Sequence, residues 1–463
     1  MLSLRSQFNA KRMVARTQLS RLGLFDAKVP RYTSYPTSPH FKNDVKPGDF
    51  SDWIEAIPEN SEISLYLHVP FCRRLCWFCA CRTQGTASGE PVTAYVETLK
   101  DELSLLKRHL PRGVRLSRLH WGGGTPTLLS PDHMRDLSET VRETADFAEN
   151  YEFSVEIDPN EIDAARLDVL FKSGMNRASI GVQDFDPDIQ KTIGREQSFE
   201  TTKRAVDMIR ERGIQSLNAD ILYGLPDQTR SKIVDSVQKL LSLSPDRVAL
   251  YGYAHVPWMA KRQQMIPSDA LPRPDDRLEL FETARKLFVW DNYDEIGIDH
   301  FATKEDGLSV AARNGTLRRN FQGYTDDTSD VLVGLGASSI SKFPQGYAQN
   351  APGTSAYTKA IRAHEFSTVR GHSFTDDDKL RARMIEMLMC DFRVDTEELV
   401  RDYKTTRAEL RRLFDRTNSE FEHLLEVDES GLFVPSKARP LTRIIARSFD
   451  AYDLSSAGHS SAI

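Results

Sequence analysis

The sequence has no apolar run approaching the ~18 residues that a membrane-spanning helix needs, which excludes a helical span. It also lacks a surplus of one charge. With 61 Lys and Arg against 67 Asp and Glu, the net charge of −6 excludes a general nucleic-acid or anionic-membrane binder. Nothing marks the chain as secreted, and reducing compartments keep thiols free, so no disulfide framework is expected. Acidic residues are missing from the start: Arg5, Lys11, Arg12, Arg16 and Arg21 all precede the first acid, Asp26. That composition fits a basic arm on a bacterial, cytoplasmic protein or, alternatively, a mitochondrial transit peptide. Cysteine is scarce too, at five in 463 residues, and four of the five fall within Phe71 to Arg82.

That stretch reads Phe-Cys-Arg-Arg-Leu-Cys-Trp-Phe-Cys-Ala-Cys-Arg. Cys72, Cys76 and Cys79 are spaced C-x3-C-x2-C, so three thiolates on one loop can serve one inorganic centre, and Cys81 follows as a fourth. Three thiolates are one short of a saturated four-iron cubane, which leaves one iron open to a ligand. A four-thiolate zinc site is the rival, although structural zinc usually takes two separated Cys-x(2–4)-Cys pairs. The spacing resembles the signature of radical S-adenosylmethionine (SAM) enzymes. The resemblance implies a 4Fe-4S cluster whose open iron is chelated by the amino and carboxylate groups of SAM. Reductive cleavage of the sulfonium to a 5'-deoxyadenosyl radical would then be cofactor chemistry rather than side-chain chemistry.

A chain of 463 residues exceeds what one core usually organises, so more than one domain is expected. Pro30 to Thr37, Pro-Arg-Tyr-Thr-Ser-Tyr-Pro-Thr, reads as an extended arm over the body. Short β-branched and aromatic runs then alternate with helical stretches, the rhythm of successive βα units. Strands are expected near 63–69, 116–122, 153–157, 178–182, 217–222 and 248–253, with helices at 93–110, 132–148, 161–172, 200–212 and 231–243. Six such units with right-handed crossovers curl into a partial (β/α)6 TIM-like barrel, extended by a further strand near 295–301. A doubly wound sheet is the alternative, but polar motifs at the ends of nearly every strand suit a barrel mouth better. The first strand, carrying Tyr66 and His68, runs into the cysteine loop. The second ends His-Trp-Gly-Gly-Gly-Thr-Pro, where glycines let the backbone approach a ligand. The third offers Glu156 and Asp158. The fourth offers Gln183 and then Arg195, and the fifth sends Asn218 and Asp220 to one face. Residues 317–325 and the glycine- and serine-rich run 333–340 read as loop, either lining a pocket or packed on the barrel.

After Phe374 the βα alternation stops. Two or three helices are expected from Asp377 to about Leu425, then a hairpin turning at Gly431 and a last helix at 441–451. Helices followed by a hairpin resemble a winged-helix module, which often binds DNA. Here 14 Lys and Arg face 18 Asp and Glu, which disfavours a phosphate-binding face and favours a lid or docking domain. Cys390 lies in the apolar helix 384–389 and reads as core. The expected division is an arm at 1–29, a catalytic barrel with substrate-side extensions at 30–373 and a mostly helical C-terminal domain at 374–463.

From about Pro30 to Tyr452 the chain resembles the oxygen-independent coproporphyrinogen III oxidases, radical SAM enzymes of haem biosynthesis. The arm, the cysteine loop, His-Trp-Gly-Gly-Gly-Thr-Pro-Thr, Gly-Val-Gln-Asp-Phe, Asp-Ile-Leu-Tyr-Gly-Leu-Pro, Asn-Phe-Gln-Gly-Tyr-Thr and Tyr-Ala-Gln-Asn carry the resemblance. It implies oxidative decarboxylation of two propionates of coproporphyrinogen III to the vinyl groups of protoporphyrinogen IX. It implies Cys72, Cys76 and Cys79 as cluster ligands and two SAM molecules. The first would meet Tyr66, Gly123, Glu156 and Ile340, and the second Phe78, Gly124, Thr125, Gln183, Arg195, Asp220 and Ala254. An electron donor and an electron acceptor are implied as partners, and a monomer is expected. Arg31, Arg319 and Lys342 are candidates for the anionic substrate on charge alone. A related haem carrier, which typically lacks the equivalent of Cys81, a haem-degrading methyltransferase and a zinc-binding scaffold are the alternatives.

Overall fold

Six strands run side by side and parallel in chain order: β1 (Glu62–Val69), β2 (Arg115–Gly123), β3 (Asp146–Ile157), β4 (Arg177–Gln183), β5 (Ser216–Tyr223) and β6 (Arg247–Gly252). They belong to a computed structural model that describes residues 18–452. Helices α1 (Glu90–His109), α2 (Pro131–Thr144), α3 (Ala164–Lys172), α4 (Phe199–Glu211) and α5 (Arg230–Leu241) return the chain between strands. Four of these helices start where a short polar side chain accepts a backbone N–H of the first turn: Ser130, Asp163, Ser198 and Thr229. Helix α1 buries Val92, Val96, Leu99, Leu103 and Leu106, one stripe of helical period.

Strand alternation divides the two faces. Outward residues such as Ile63, Leu65, Leu67, Phe153, Val155, Ile180, Leu217, Ile221, Val248 and Leu250 are buried under the helices in one apolar core. Inward positions are polar: His120, Glu152, Ser154, Glu156, Arg177, Ser179, Asn218, Asp220, Arg247 and Tyr251 line an interior cavity. Ion pairs close its base, with Arg177 to Glu152 at 3.0 Å and Arg247 to Asp306 at 2.6 Å. These charges are paired because an isolated buried charge is costly.

The sheet is larger than the sequence suggests. Beyond β6, the expected strand near 295–301 is two short antiparallel strands, β7 (Asp294–Ile296) and β8 (His300–Ala302), turning at Gly297. Gly297 has φ 54°, and a Cβ there would meet the Tyr324 ring, so only glycine fits this turn. On the other edge, the run 333–340 is loop only at its middle, the turn 336–339. It supplies β9 (Leu332–Leu335), parallel to β1, and opens β10 (Ile340–Phe343). Strands β11 (Gly346–Asn350) and β12 (Thr368–Ser373) follow antiparallel, giving twelve strands in the order β12-β11-β10-β9-β1-β2-β3-β4-β5-β6-β8-β7. The small residues of 333–340 permit close strand approach: a Cβ on Gly334 would lie 2.6 Å from the Ile340 carbonyl oxygen. The helix expected to run to Ala148 stops at Thr144, because β3 begins at Asp146.

The C-terminal part contains helices Asp376–Asp391, Thr396–Asp402 and Arg407–Glu420. A three-stranded sheet joins Arg393–Asp395 to the hairpin Glu426–Val427 and Gly431–Phe433, the element order of a winged helix. The first of these strands is too short to show in the sequence. The last helix is Thr442–Arg447, which starts one residue later than expected, after a 3-10 turn holding Pro440, and ends four residues earlier. Cys390 is buried. The arm is clasped against this part: Tyr32 Oη donates to Asp450 at 2.9 Å and Ala451 N donates to Tyr35 Oη at 2.9 Å. Among the described residues no helix is long and apolar enough to cross a membrane. Arg5, Lys11, Arg12 and Arg16 lie outside the described residues, while Arg21 pairs with Glu422 at 3.1 Å.

Candidate cluster and cofactor site

Leaving β1 at the C-terminal mouth of the barrel, the chain turns at once into the cysteine loop. Phe71 anchors it, 2% exposed and edge-on to Tyr95 with centroids 5.4 Å apart. Backbone bonds tie it down on three sides: Thr125 N to Phe71 O at 2.8 Å, Thr86 N to Cys72 O at 3.0 Å and Trp77 N to Ile193 O at 2.9 Å. Side chains brace its outer half. Gln263 Nε2 donates to the carbonyls of Phe78 and Ala254, and Arg262 Nη2 donates to Cys81 O at 3.0 Å. All five cysteines are free, with Cys72, Cys76 and Cys79 half-buried and Cys81 exposed. Burial raises the Cys72 and Cys76 thiols, a cost that binding to iron as thiolates would offset. Two groups point donors at the sulfurs: Arg195 Nη1 lies 3.6 Å from Cys76 Sγ and Cys81 N lies 3.4 Å from Cys79 Sγ. Among the described residues no three His, Cys, Asp or Glu side chains group closely enough to hold one metal ion. Three free, half-buried thiols on one loop are a donor set that fits a four-iron cubane with one iron left open.

The four residues expected around one SAM lie on four strands, Tyr66 on β1, Gly123 on β2, Glu156 on β3 and Ile340 at the start of β10. Glu156 Oε2 accepts from Gly123 N at 3.0 Å, and His120 Nε2 lies 3.3 Å from Glu156 Oε1. Burial acts to raise the Glu156 carboxyl, but His120 and the Gly123 amide outweigh it and hold the group below its ordinary value. Tyr66 stacks on His120 at 5.7 Å and lies opposite Gly334, whose neighbour across the sheet is Ile340. Gly123 has φ 110°, and any side chain there would strike His68.

The second set gathers beneath the cysteine loop. Gly124 is pressed against the backbone of Pro70 and Phe71, where a Cβ would lie 2.6 Å from Phe71 O. Arg195 Nη2 donates to Gly181 O at 2.9 Å, and its Nη1 lies 3.6 Å from Asp158. The buried Nε has no partner. Gln183 holds φ 69°, a left-handed conformation rare outside glycine, beside Gly181 and Arg195. Gly181 pairs in register with Asp220, whose Oδ1 accepts from Asn218 at 2.9 Å. Burial pushes the Asp220 carboxyl up to about 6. Phe78 and Ala254 are joined through Gln263.

Residues 66–240 match the family model described as "Radical SAM superfamily". The chain is 65% identical over 451 residues to the oxygen-independent coproporphyrinogen III oxidase of Paracoccus denitrificans, covering 97% of this chain and 100% of the relative. It is 57% identical to the protein of that name from Cereibacter sphaeroides, covering 96% and 98%. The chain belongs to the oxygen-independent coproporphyrinogen III oxidase family. A solved coproporphyrinogen III oxidase from Escherichia coli, titled a radical SAM enzyme, superposes with a TM-score of 0.87 at 35% identity, covering 92% of this chain and all of that one.

As a radical SAM protein of this oxidase family, the chain takes a 4Fe-4S cluster and SAM as cofactors. The structure also shows what sequence reasoning missed. His120, Arg262 and Gln263 brace the site, yet only His120 sits in a recognisable motif, and the other two lie in an irregular segment with no pattern. Of the charge-based substrate candidates, Arg31 and Arg319 line one cavity, together with Arg277, Arg285, Arg439 and Arg443, which the sequence did not single out. Lys342 is not in that cavity; it lines an adjoining cleft beside Tyr32 and Tyr35, a cleft whose wall Arg319 shares. The hairpin Arg318–Asn320 and Gly323–Thr325 packs inside the barrel, with Asn320, Gln322 and Tyr324 on its interior cavity.

Proposed function

We propose that this chain carries out the oxygen-independent oxidative decarboxylation of coproporphyrinogen III to protoporphyrinogen IX in haem biosynthesis. The observation that carries the reading is a loop of three half-buried free thiols set at the mouth of a barrel whose interior is lined by Glu156, Asp220, His120 and Asn218. Cys72, Cys76 and Cys79 hold the cluster. Tyr66, Gly123, Glu156 and Ile340 take one SAM, and Phe78, Gly124, Thr125, Gln183, Arg195, Asp220 and Ala254 take a second. When bound, the cluster and SAM supply one-electron cleavage of the sulfonium and removal of a hydrogen atom from the propionate carbon next to the ring.

The chain's own side chains bind and orient. Glu156 and Asp220 suit ribose hydroxyls as acceptors, the glycines admit close backbone contact, and Arg195 suits a carboxylate, for which its orphaned Nε leaves capacity. Each vinyl group formed requires loss of one hydrogen atom, one CO2 and one electron. A one-electron donor must therefore feed the cluster and a one-electron acceptor must take up the electron left on the substrate. Residues 30–373 form the catalytic part and 374–463 a lid or docking part. The chain's free thiols favour a reducing, cytoplasmic compartment, and the enzyme is taken to act as a monomer.

The test is anaerobic turnover with coproporphyrinogen III, SAM and a strong reductant, following porphyrins and 5'-deoxyadenosine by chromatography. The expected result is protoporphyrinogen IX by way of a singly decarboxylated intermediate, with two CO2 released per substrate. Tight stoichiometric haem binding without decarboxylation, from protein carrying a full cluster, points instead to a haem carrier.

A further inference from the structure

Beside the barrel mouth lies a second cavity, walled by the ends of β5 and β6, by helix α6 (Pro274–Trp290), by the arm and by the C-terminal residues Ser436 to Arg443. No residue of the cysteine loop and none of the eleven proposed SAM residues lines it, but His300 lines both this cavity and the barrel interior, so the two adjoin. Its chemistry is lopsided. Six arginines face three carboxylates, and those carboxylates are engaged: Glu282 and Glu295 by Arg285, and Asp299 by His300 at 2.7 Å.

Among the described residues, no carboxylate lies within ion-pair distance of Arg31, Arg277, Arg319 or Arg439. Arg31 Nη2 donates to Gly252 O at 2.5 Å and Arg277 Nη2 to Tyr253 O at 2.8 Å, which holds the two guanidinium groups in place. Arg319 is 8% exposed and lies over the Tyr324 ring at 4.3 Å. Three nitrogens are buried with no hydrogen-bond partner: Arg277 Nε and Arg319 Nε and Nη1. Gly224, with φ 80°, makes room for Arg277, since a Cβ there would lie 2.9 Å from the guanidinium carbon. Unpaired buried guanidinium donors are costly unless a ligand satisfies them, and the ligand they fit is a carboxylate.

We infer that this cavity anchors the two propionate carboxylates that the substrate keeps, rather than the two it loses. The inference rests on the oxidase reading above. A carboxylate leaving as CO2 gives up its charge, so a guanidinium fork on it would stabilise the starting state and oppose the reaction. A retained carboxylate is an anion throughout, and holding it binds starting and transition states alike. Placing the surplus arginines away from the cysteine loop, on the arm, α6, the hairpin 318–325 and the C-terminal part, fits the second task.

The test uses anaerobically reconstituted full-length chain and equilibrium fluorescence binding of two ring-oxidised porphyrins, coproporphyrin III with four carboxylates and protoporphyrin IX with the two retained ones. Arg277→Leu should weaken both by about tenfold or more, and by the same factor, with Arg277→Lys in between, because lysine restores charge but not the fork. Arg31→Gln provides a second variant at a less enclosed position, and Lys239→Gln, on helix α5 away from this cavity, should leave both affinities unchanged. Cluster absorption in each variant checks the fold. Weakened coproporphyrin III with unaltered protoporphyrin IX assigns the cavity to the departing propionates and overturns the inference, as do unaltered affinities for both. If the wild type turns over coproporphyrinogen III while Arg277→Leu keeps both affinities, the inference fails and the oxidase reading stands. A wild type that binds neither porphyrin overturns the inference, while turnover of coproporphyrinogen III decides the oxidase reading separately.

Discussion

Cys72, Cys76 and Cys79 differ from Cys81 in exposure and in what surrounds their sulfurs, and this difference predicts distinct phenotypes. Single Cys→Ser variants reconstituted anaerobically should lose iron, sulfide and visible absorption at the first three positions and keep them at Cys81; loss at Cys81→Ser would make it a ligand. Arg195 sits 3.6 Å from both Cys76 Sγ and Asp158, so it serves the cluster loop as well as the proposed SAM site. Arg195→Ala should weaken SAM about 10- to 100-fold, the value of a charged hydrogen bond, and should also shift the cluster spectrum. An unshifted spectrum with unchanged SAM affinity removes Arg195 from both roles. Asp220 is raised to about 6 by burial, with Asn218, Glu156, His300 and Arg195 around it. If its carboxylate accepts from a ribose, SAM affinity is full above pH 6 and falls as pH drops through 6, by about fivefold, the difference between a charged and a neutral acceptor. Asp220→Asn should flatten that dependence, and calorimetry from pH 5 to 8 measures it.

At the scale of elements, the six strands and their helices were legible because their alternation is unusually clean. Ser-Val-Glu-Ile in β3 and Leu-Asn-Ala-Asp-Ile in β5 place apolar residues under the helices and polar residues in the barrel. The stretch 332–350 was not legible as strands, because glycine and serine there serve close strand packing, and the same residues commonly mark loops. Two residues of α1, Tyr95 and Glu102, hold this region: Tyr95 Oη accepts from Ala337 N at 2.9 Å, and Glu102 makes the larger set of bonds. The Glu102 carboxylate accepts from Gly336 N at 2.7 Å, Tyr357 Oη at 2.7 Å and Asn350 Nδ2 at 2.8 Å, fixing the turn that leads to Ile340. Burial nevertheless raises the carboxyl to about 7, so the fold favours its protonated form. The stability this gives is fully present below about pH 4.5 and is lost as pH rises through 7. Relative to Glu102→Gln, the wild type should therefore lose up to about 3 kcal/mol between pH 5 and 8 in denaturant titrations. Parallel curves for the two proteins would show that the carboxyl does not titrate there. Glu102→Ala, which leaves three buried donors unpaired, should be the least stable at every pH.

Across the whole molecule, the arm, the barrel and the C-terminal helices share one apolar core that runs from Leu24 to Phe449. The sequence announced the C-terminal module by its change of texture but not what it encloses. Arg277, Arg319 and Arg443 are spread over 166 residues of chain and meet only after folding, so no spacing rule marks them. The cysteine loop was readable for the opposite reason, since Cys72, Cys76 and Cys79 lie within eight residues of one segment. The central claim is that a hydrogen atom leaves the substrate's propionate side chain for SAM-derived 5'-deoxyadenosine. Anaerobic turnover of coproporphyrinogen III deuterated at the propionate carbons next to the rings, with mass analysis of the 5'-deoxyadenosine formed, tests it most directly. The account predicts one deuterium in each 5'-deoxyadenosine that accompanies a released CO2; protoporphyrinogen IX formed alongside deuterium-free 5'-deoxyadenosine would contradict it.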